Sequence, residues 1–291
     1  MKQLIIILLG FCIISSCTRD KKYYNADLKN VIYAGARSSS YGIRPFPDNK
    51  TWLNILEEMK ASFPGSDASA IWIVGELKGE DSCRLYFPAN GENYEYTHFE
   101  ELDKHESYLT FFDQNNIKVF LQVEPGKADV EKLIDLVLNR YKHHSSVIGF
   151  GVDVEWYDHS DRPGWGIPVN DSTARIWEEK VKSHNQNYNL FLKHWDREWM
   201  PPNYRGEIIF VSDSQIFDTM SDMVDEFDTY WADYFYPNMV MYQVGYPADK
   251  KWWSKLSDPP KNLGDSIADR VKQNCGIFWV DFTLKEVFMD E

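Results

Sequence analysis

The segment "VIGFGVDVE" at residues 147–155 combines a buried-strand pattern with two acids at its end. Val147, Ile148 and Phe150 are apolar, and the two glycines between them allow other backbone to approach closely. Asp153 and Glu155 then follow one residue apart. Acids are rarely placed at the end of an apolar strand without a charge partner or a chemical task, because burying them costs free energy.

Seven further strand patterns surround this one and mostly alternate with helical patterns. The eight predicted strands lie at residues 31–36, 70–76, 118–126, 147–155, 189–195, 207–213, 239–244 and 276–282. Near-continuous apolar strands separated by helices require a parallel sheet covered by helices. Eight such repeats in roughly 250 residues favour a single-domain (β/α)₈ TIM barrel. Only the connection after the fifth strand, residues 196–206, is too short and too rich in proline for a full helix.

Polar side chains gather where these strands end. They are Glu76, Glu124, Asp153, Glu155, Asp213, Tyr242, Gln243 and Asp281. Since sites in such barrels lie at the carboxyl ends of the strands, the pattern predicts an acidic ring at one mouth of the barrel.

Alternation along the fourth strand places Asp153 and Glu155 on one face. Like charges held close oppose simultaneous ionisation, so one carboxyl is expected to stay protonated nearer neutral pH. A protonated carboxyl beside an ionised one is the arrangement that glycoside cleavage needs. The alternative is structural: the acids pair with Lys193 or Arg37 inside the barrel, or cap the next helix.

The fourth strand resembles that of the family 18 glycoside hydrolases, which ends in D-G-x-D-x-D-x-E. In "IGFGVDVE", Asp153 and Glu155 match the last two acids, while Ile148 and Gly151 stand in place of two others. The resemblance implies that Glu155 donates the proton and that Asp153 orients an N-acetyl group of the substrate. The third-strand S-x-G-G of that family is not recognisable here.

Two later segments extend this resemblance. "VMYQ" is similar to the family's M-x-Y-D, which implies that Tyr242 holds the acetamido group, with Gln243 in place of the acid. Trp279 in "GIFWVDF" resembles the tryptophan that floors the sugar site. If the substrate lacks an acetamido group, Glu124 or Asp213 would serve as the second carboxylate.

Rings and acids near the strand ends are the remaining substrate-binding candidates. Trp156 and Tyr157 follow the acids of the fourth strand directly, and Asp281 ends the eighth strand. Aromatic rings stack on the faces of sugars, although they also pack loops onto a barrel. The implied partner is an oligo- or polysaccharide.

The first residues, "MKQLIIILLGFCIISSC", do not belong to the barrel pattern. An apolar run too short for a permanent span and the ending "ISSC", similar to a bacterial lipobox, predict a lipoprotein signal at residues 1–16. Cys17 would carry the lipid, residues 17–29 would be a tether, and residues 30–291 would be the barrel. The predicted location is the bacterial cell envelope, at the outer membrane or the periplasmic face, with the lipid on Cys17 as the membrane contact.

Charge and motif content exclude several functions. The net charge of −14 argues against nucleic acid as a partner. No phosphate-binding glycine loop, G-x-S-x-G or H-E-x-x-H occurs, so no cofactor and no metal are predicted. Cys83 and Cys275 are too few for a disulfide framework, and the sequence leaves their pairing open. The function predicted is a glycoside hydrolase acting on a glycan that contains N-acetylhexosamine or another sugar, and the alternative is a barrel that binds carbohydrate without cleaving it.

Overall fold

A computed structural model describes residues 30–158 and 164–289 of the protein. The predicted signal at residues 1–16, the lipidated Cys17 and the tether at residues 17–29 lie outside the described residues. Within the described ranges, no helix combines the length and the apolar character needed to cross a membrane.

Eight parallel strands close into a barrel, which confirms the predicted (β/α)₈ fold. The described residues form one sheet whose strands are β1 (Val31–Ser38), β2 (Asp67–Lys78), β3 (Ser82–Leu85), β4 (Thr97–Phe99), β5 (Lys118–Val123), β6 (Val147–Asp153), β7 (Asn189–His194), β8 (Ile209–Ser212), β9 (Val240–Val244) and β10 (Cys275–Trp279). The barrel runs β1–β10–β9–β8–β7–β6–β5–β2, and the pairing of β1 with β2 closes it.

Helices follow most of the barrel strands. They are α1 (Asn49–Ala61), α2 (Glu106–Gln114), α3 (Val130–Tyr141), α4 (Asp171–His184), α5 (Met220–Asp225), α6 (Asp233–Phe235), α7 (Lys250–Trp253), α8 (Pro259–Ala268) and α9 (Leu284–Phe288), with a π-helical segment Glu226–Ala232 joining α5 to α6. Asn170 caps α4 by accepting a hydrogen bond from the Thr173 amide at 2.9 Å. Between β7 and β8 there is only the 3₁₀ turn Arg197–Trp199, as the proline-rich sequence there predicts.

Alternation along the strands produces two separate cores. Outward-facing side chains such as Trp72, Val152 and Leu192 pack against the helices. Inward-facing side chains fill the barrel itself, where Phe191 packs against Phe120 with ring centroids 6.0 Å apart. Gly151 makes room for this interior, because a Cβ there would lie 1.9 Å from Cζ of Phe191.

The segment between β2 and α2, which contains β3 and β4, was not predicted by the sequence patterns. We call it the β3–β4 excursion. Beyond the barrel, β2 pairs with β3 in antiparallel register, and β3 pairs with β4. Cys83 on β3 and Cys275 on β10 are both buried free thiols, so they do not pair with each other.

Candidate active site

Six carboxyl side chains and two cations gather at the carboxyl ends of the barrel strands. The acids are Glu76, Glu124, Asp153, Glu155, Asp213 and Asp281, and the cations are Arg37 and Lys193. All of them except Glu155 are buried. The acidic ring predicted from the strand ends is therefore present, but it is sealed and internally paired rather than open to solvent.

Lys193 on β7 lies at the centre of one group of acids. Its Nζ donates to Asp153 Oδ1 and Oδ2 at 3.1 and 3.0 Å and to Glu155 Oε1 at 2.5 Å, and it lies 2.5 Å from Asp213 Oδ2. Asp153 and Lys193 are register partners on neighbouring strands, which directs both side chains to the same side of the sheet. We call Asp153, Glu155, Lys193 and Asp213 the Lys193 cluster.

Two carboxyls of the Lys193 cluster have pKa values displaced in opposite directions. Burial and the charge of Asp213 raise the pKa of Glu155 well above its usual value, despite the attraction of Lys193. Burial opposes ionisation of Asp213 too, but the charge of Lys193 and a hydrogen bond from Glu155 outweigh it and lower the pKa of Asp213. The cluster thus favours the protonated form of Glu155 and the ionised form of Asp213.

The exposed fraction of the side chain distinguishes Glu155 and Asp213 from Asp153. The side chain of Glu155 is 16% exposed and that of Asp213 is 6% exposed, whereas that of Asp153 is 1% exposed. Among the acids of the Lys193 cluster, Glu155 is therefore the most exposed to solvent. Asp153 lies beneath Lys193 and also accepts a hydrogen bond from Gln122 Nε2 at 3.2 Å.

Arg37 on β1 organises the opposite side of the mouth. Its Nη1 donates to Asp281 Oδ1 at 2.6 Å, and its Nη2 donates to the hydroxyl of Tyr41. That hydroxyl donates in turn to Glu124 Oε1 at 2.6 Å. Burial and the charge of Asp153 raise the pKa of Glu124 to about 7, although the hydrogen bonds from Tyr41 and Leu77 oppose the shift.

Several polar atoms beneath these acids are buried and have no hydrogen-bond partner among the described residues. They are Arg37 Nε, Gln122 Oε1, Asp213 Oδ1 and Gln243 Nε2. The other end of the Gln243 amide accepts from Tyr246 OH at 3.0 Å. Buried polar atoms in native proteins normally have a partner, so these atoms are available to a polar ligand.

The loop after β6 is fixed to the loop after β7 through His194. The Nδ1 of His194 accepts from the Asp196 amide at 2.7 Å, so Nε2 carries the proton and donates to the Trp165 carbonyl at 2.9 Å. Its ring stacks on Trp199 at 5.0 Å. Burial lowers the pKa of His194 to about 4, so this side chain anchors the loop as a neutral ring.

A cavity of about 400 Å³ adjoins the mouth where β1 and β2 end. It is lined by Ser39, Ser40, Phe46, Ile73, Glu76, Tyr86, Lys104, His105 and Tyr108. Glu76 is held there by the amide and hydroxyl of Ser40, each at 2.7 Å, and by the hydroxyl of Tyr86. Ser39 connects this cavity to the mouth, because its hydroxyl donates to Asp281 at 2.5 Å. Tyr86 and His105 were missed from sequence because they belong to the β3–β4 excursion and not to a barrel strand.

Tyr242 and Trp279 do not join the mouth, contrary to what the resemblance implies. The hydroxyl of Tyr242 donates to the Phe227 carbonyl at 3.0 Å in the layer between strands and helices. Trp279 packs on Trp253 in the same layer, with ring centroids 5.3 Å apart. Strand alternation is the reason, since the inward position on β9 is Gln243 and not its neighbour.

The other predicted substrate contacts have mixed placements. Asp281 and Gln243 lie at the mouth and just beneath it, as described above. Tyr157 packs edge-on against Trp177 of α4 at 5.0 Å, beside a separate surface cavity. Trp156 is half-buried at the end of the 3₁₀ turn Val154–Trp156 that carries Glu155.

Comparison with known proteins identifies the fold and no family. No protein-family model matches the chain, and no curated protein matches it. Among solved structures, the chain is similar to a protein of Bacteroides thetaiotaomicron VPI-5482 described as a "putative alpha-L-fucosidase". The two are 13% identical with a TM-score of 0.50, over 96% of this chain and 91% of that one. At this identity the likeness shows the barrel fold.

Proposed function

We propose that this protein is a glycoside hydrolase in which Glu155 is the general acid and Asp213 is the second carboxylate. The observation that carries the proposal is that Glu155 and Asp213 contact the same Lys193 at the carboxyl ends of the barrel strands, while burial and neighbouring charges raise the pKa of Glu155 and lower that of Asp213. Glycosidases use two carboxyls in these two states. The solved structure with the same fold is described as a "putative alpha-L-fucosidase", and cleavage of a glycosidic bond by this protein would agree with that description.

The reaction begins with proton transfer from Glu155 to the glycosidic oxygen as the bond from that oxygen to the anomeric carbon breaks. As that bond breaks, a carboxylate oxygen of Asp213 bonds to the anomeric carbon, and it stabilises the positive charge that develops on the sugar ring in the transition state. A water that gives one proton to Glu155 then attacks the anomeric carbon, the bond to Asp213 breaks, and both carboxyls return to their starting states. The positive charge of Lys193 favours the ionised form of Asp213. Asp153 is a second carboxylate that pairs with Lys193.

The spacing of the two carboxyls excludes the wide separation of inverting enzymes, and because Glu155 hydrogen-bonds to Asp213, substrate would have to part them to reach the retaining distance. One oxygen of each lies 2.5 Å from the same Nζ, so these oxygens are at most twice that distance apart. Retaining glycosidases hold their carboxyls about 5 Å apart, whereas inverting enzymes separate them by about 6.5–9.5 Å to admit a water. We therefore propose Asp213, rather than Glu124, as the nucleophile, since both carboxylate oxygens of Glu124 are occupied by Tyr41 and Leu77.

The cavity where β1 and β2 end would hold a further part of the glycan. Its rings from Phe46, Tyr86 and Tyr108 offer flat apolar faces, and its size suits a single sugar ring. An N-acetylhexosamine remains a substrate candidate through the family 18 resemblance. The role which that resemblance gives to Asp153 would require substrate to displace Lys193 from it.

The decisive experiment measures hydrolysis of a panel of 4-nitrophenyl glycosides that includes the α-L-fucoside and the N-acetyl-β-D-glucosaminide. We expect turnover of at least one glycoside, and a loss of roughly 10²–10⁴-fold in kcat for Glu155→Gln with binding retained. Glu198→Gln is the matched control, since this side chain is 64% exposed on the surface. Proton NMR of the first product should show retained anomeric configuration.

A carbohydrate-binding barrel without catalysis gives a different outcome. Neither the wild type nor Glu155→Gln would then turn over any glycoside or glycan, while both would bind the same oligosaccharides in calorimetry. That result would overturn the hydrolase proposal and leave the binding function.

The envelope location is a separate part of the proposal. We propose that Cys17 carries a lipid that anchors the barrel to the bacterial envelope, on the strength of the apolar run and the "ISSC" ending. The Cys17→Ser variant should move from the membrane fraction to the soluble fraction, as followed by immunoblotting. Unchanged fractionation would contradict the anchor.

A further inference from the structure

Two adjacent histidines face one glutamate in the helix layer, where α2 meets the loop that follows α3. His143 and His144 follow the end of α3, in the loop that leads into β6, and Glu106 is the first residue of α2. None of these residues belongs to the candidate active site. One ligand atom from each of the three residues lies within 4.8 Å of the other two.

The spacing of these atoms suits a tetrahedral metal ion. His143 Nε2 and His144 Nε2 lie 3.3 and 3.4 Å from Glu106 Oε1. Zinc binds imidazole nitrogen and carboxylate oxygen at about 2.0–2.2 Å, and a tetrahedron of that size has ligand-to-ligand edges of roughly 3.3–3.5 Å. The two measured edges therefore already have the length that a bound ion would require.

A second carboxylate orients His144 in the manner of a metal ligand. Asp113 Oδ2 lies 2.7 Å from Nδ1 of His144, so Nδ1 is the donor and the lone pair of the neutral ring is on Nε2. Asp113 is fixed in turn by the Ser146 amide, which donates to its Oδ1 at 2.7 Å. Histidine ligands of metals nearly always donate their other ring N–H to such a group, which fixes the tautomer.

The Nε2 atom of His144 is buried and has no hydrogen-bond partner among the described residues, and the side chain as a whole is only 2% exposed. In the neutral ring this lone pair faces a carboxylate oxygen, an arrangement that a cation between them would stabilise. Glu106 and His143 are 45% and 57% exposed, so an ion can enter from solvent and keep a water as its fourth ligand.

We propose that Glu106, His143 and His144 form a binding site for a divalent transition metal of the zinc type, with Asp113 as the supporting carboxylate. Two imidazoles and one carboxylate are the donor set that such ions prefer over magnesium or calcium. The bound ion would connect the start of α2 to the loop between α3 and β6, and so stabilise the packing of these two parts of the helix layer. The site is independent of the proposed glycosidase activity.

Calorimetry with Zn²⁺ and the visible absorption of Co²⁺ test the proposal on protein freed of metal by a chelator. We expect one saturable site, a tetrahedral Co²⁺ spectrum and a rise in Tm with Zn²⁺. His143→Ala should weaken binding at least tenfold without changing the Tm of the metal-free protein, because the side chain is exposed. Asp113→Asn should weaken binding by about 10–100-fold.

His98→Ala is the matched control, because His98 is an exposed histidine on β4 away from the cluster. It should bind Zn²⁺ like the wild type. The proposal fails if no saturable binding occurs, or if His143→Ala binds Zn²⁺ as tightly as the wild type does. The first result would mean that these three side chains are only polar neighbours in the helix layer. Glycoside turnover should be the same in His143→Ala and the wild type, so this test does not depend on the active-site proposal.

Discussion

The two halves of the barrel interior are built by the same strands from opposite chemistries. In the half near the start of the strands, the inward residues are apolar: Ile71, Phe120, Phe191, Ile209, Val211, Met241 and Phe278. In the half near the strand ends they are polar: Arg37, Gln122, Asp153, Lys193, Asp213 and Gln243. We call these the apolar half and the polar half, and we include in the polar half the other four carboxyls of the mouth, Glu76, Glu124, Glu155 and Asp281.

Four strands, β5, β7, β8 and β9, change from one chemistry to the other within a single alternation step. Phe120 is followed two residues later by Gln122, and Phe191 by Lys193. The apolar half needs only complementary packing, whereas the polar half must balance six acids against two cations in a buried space. The side chains that stabilise the barrel by packing and the side chains capable of chemistry therefore lie in different parts of its interior, as expected for this fold.

Removing the central cation should have the largest effect on this balance. Lys193→Met leaves Asp153 and Asp213 without their common partner, so we expect the free energy of unfolding at pH 7 to fall by about 3–5 kcal/mol. The loss should be smaller at pH 5, where the orphaned carboxyls protonate more readily. Urea unfolding measures both.

Lys251→Met is the control for that variant, because Lys251 is half exposed and its ion-pair partner Asp218 is 90% exposed. Its effect should stay within about 0.5 kcal/mol. If Lys193→Met is as stable as the wild type, the charges of the polar half are not balanced by this lysine.

The pH dependence of stability should reflect the polar half as well. Glu124 holds its proton to about pH 7 in the folded protein, well above the usual value of 4.5, so the folded state binds more protons than the unfolded state between these values. Stability should therefore fall as pH rises from about 4.5 to 7, by up to about 3 kcal/mol for this group.

Glu124→Gln should remove this part of the pH dependence, since the neutral amide can still accept from the Leu77 amide. Urea midpoints at pH 5 and pH 7 give the comparison. An equal decrease in the wild type and the variant would show that Glu124 ionises normally in the folded protein.

The smallest expected effects come from two tyrosine variants, one in the layer between strands and helices and one beside the acids of the mouth. Tyr242→Phe loses a hydrogen bond to the Phe227 carbonyl, and should cost about 1 kcal/mol of stability while kcat stays within about twofold. Tyr246→Phe, whose hydroxyl contacts Gln243 and lies 3.5 Å from Asp213, should lower kcat instead. A large loss of kcat in Tyr242→Phe would restore the role that the family 18 resemblance gives it.

Much of the candidate site could be predicted from strand ends alone. Alternation and the barrel rule placed Asp153, Glu155, Glu124 and Asp213 near one mouth, because a parallel barrel gathers the ends of all its strands. Local motif matching was less successful. It assigned Tyr242 and Trp279 to the sugar site, although their parity on β9 and β10 directs them toward the helices.

The metal-type cluster could not be predicted in this way. Its three ligands come from residues 106 and 143–144, and no local spacing connects a helix start with the loop after the next helix. Likewise, Tyr86 and His105 reach the cavity beside the mouth only through the β3–β4 excursion, whose pairing depends on contacts with β2 beyond the barrel.

By itself, the sequence determined the eight strands, their parallel order along the chain and the end of the barrel at which the acids gather, because hydrophobic periodicity and strand alternation are local properties. Only the tertiary structure decided which acids share Lys193, which carboxyl keeps its proton and which is most exposed. These properties depend on charges and burial contributed by strands that are far apart in the chain, and electrostatic energies follow distance in space rather than distance in sequence.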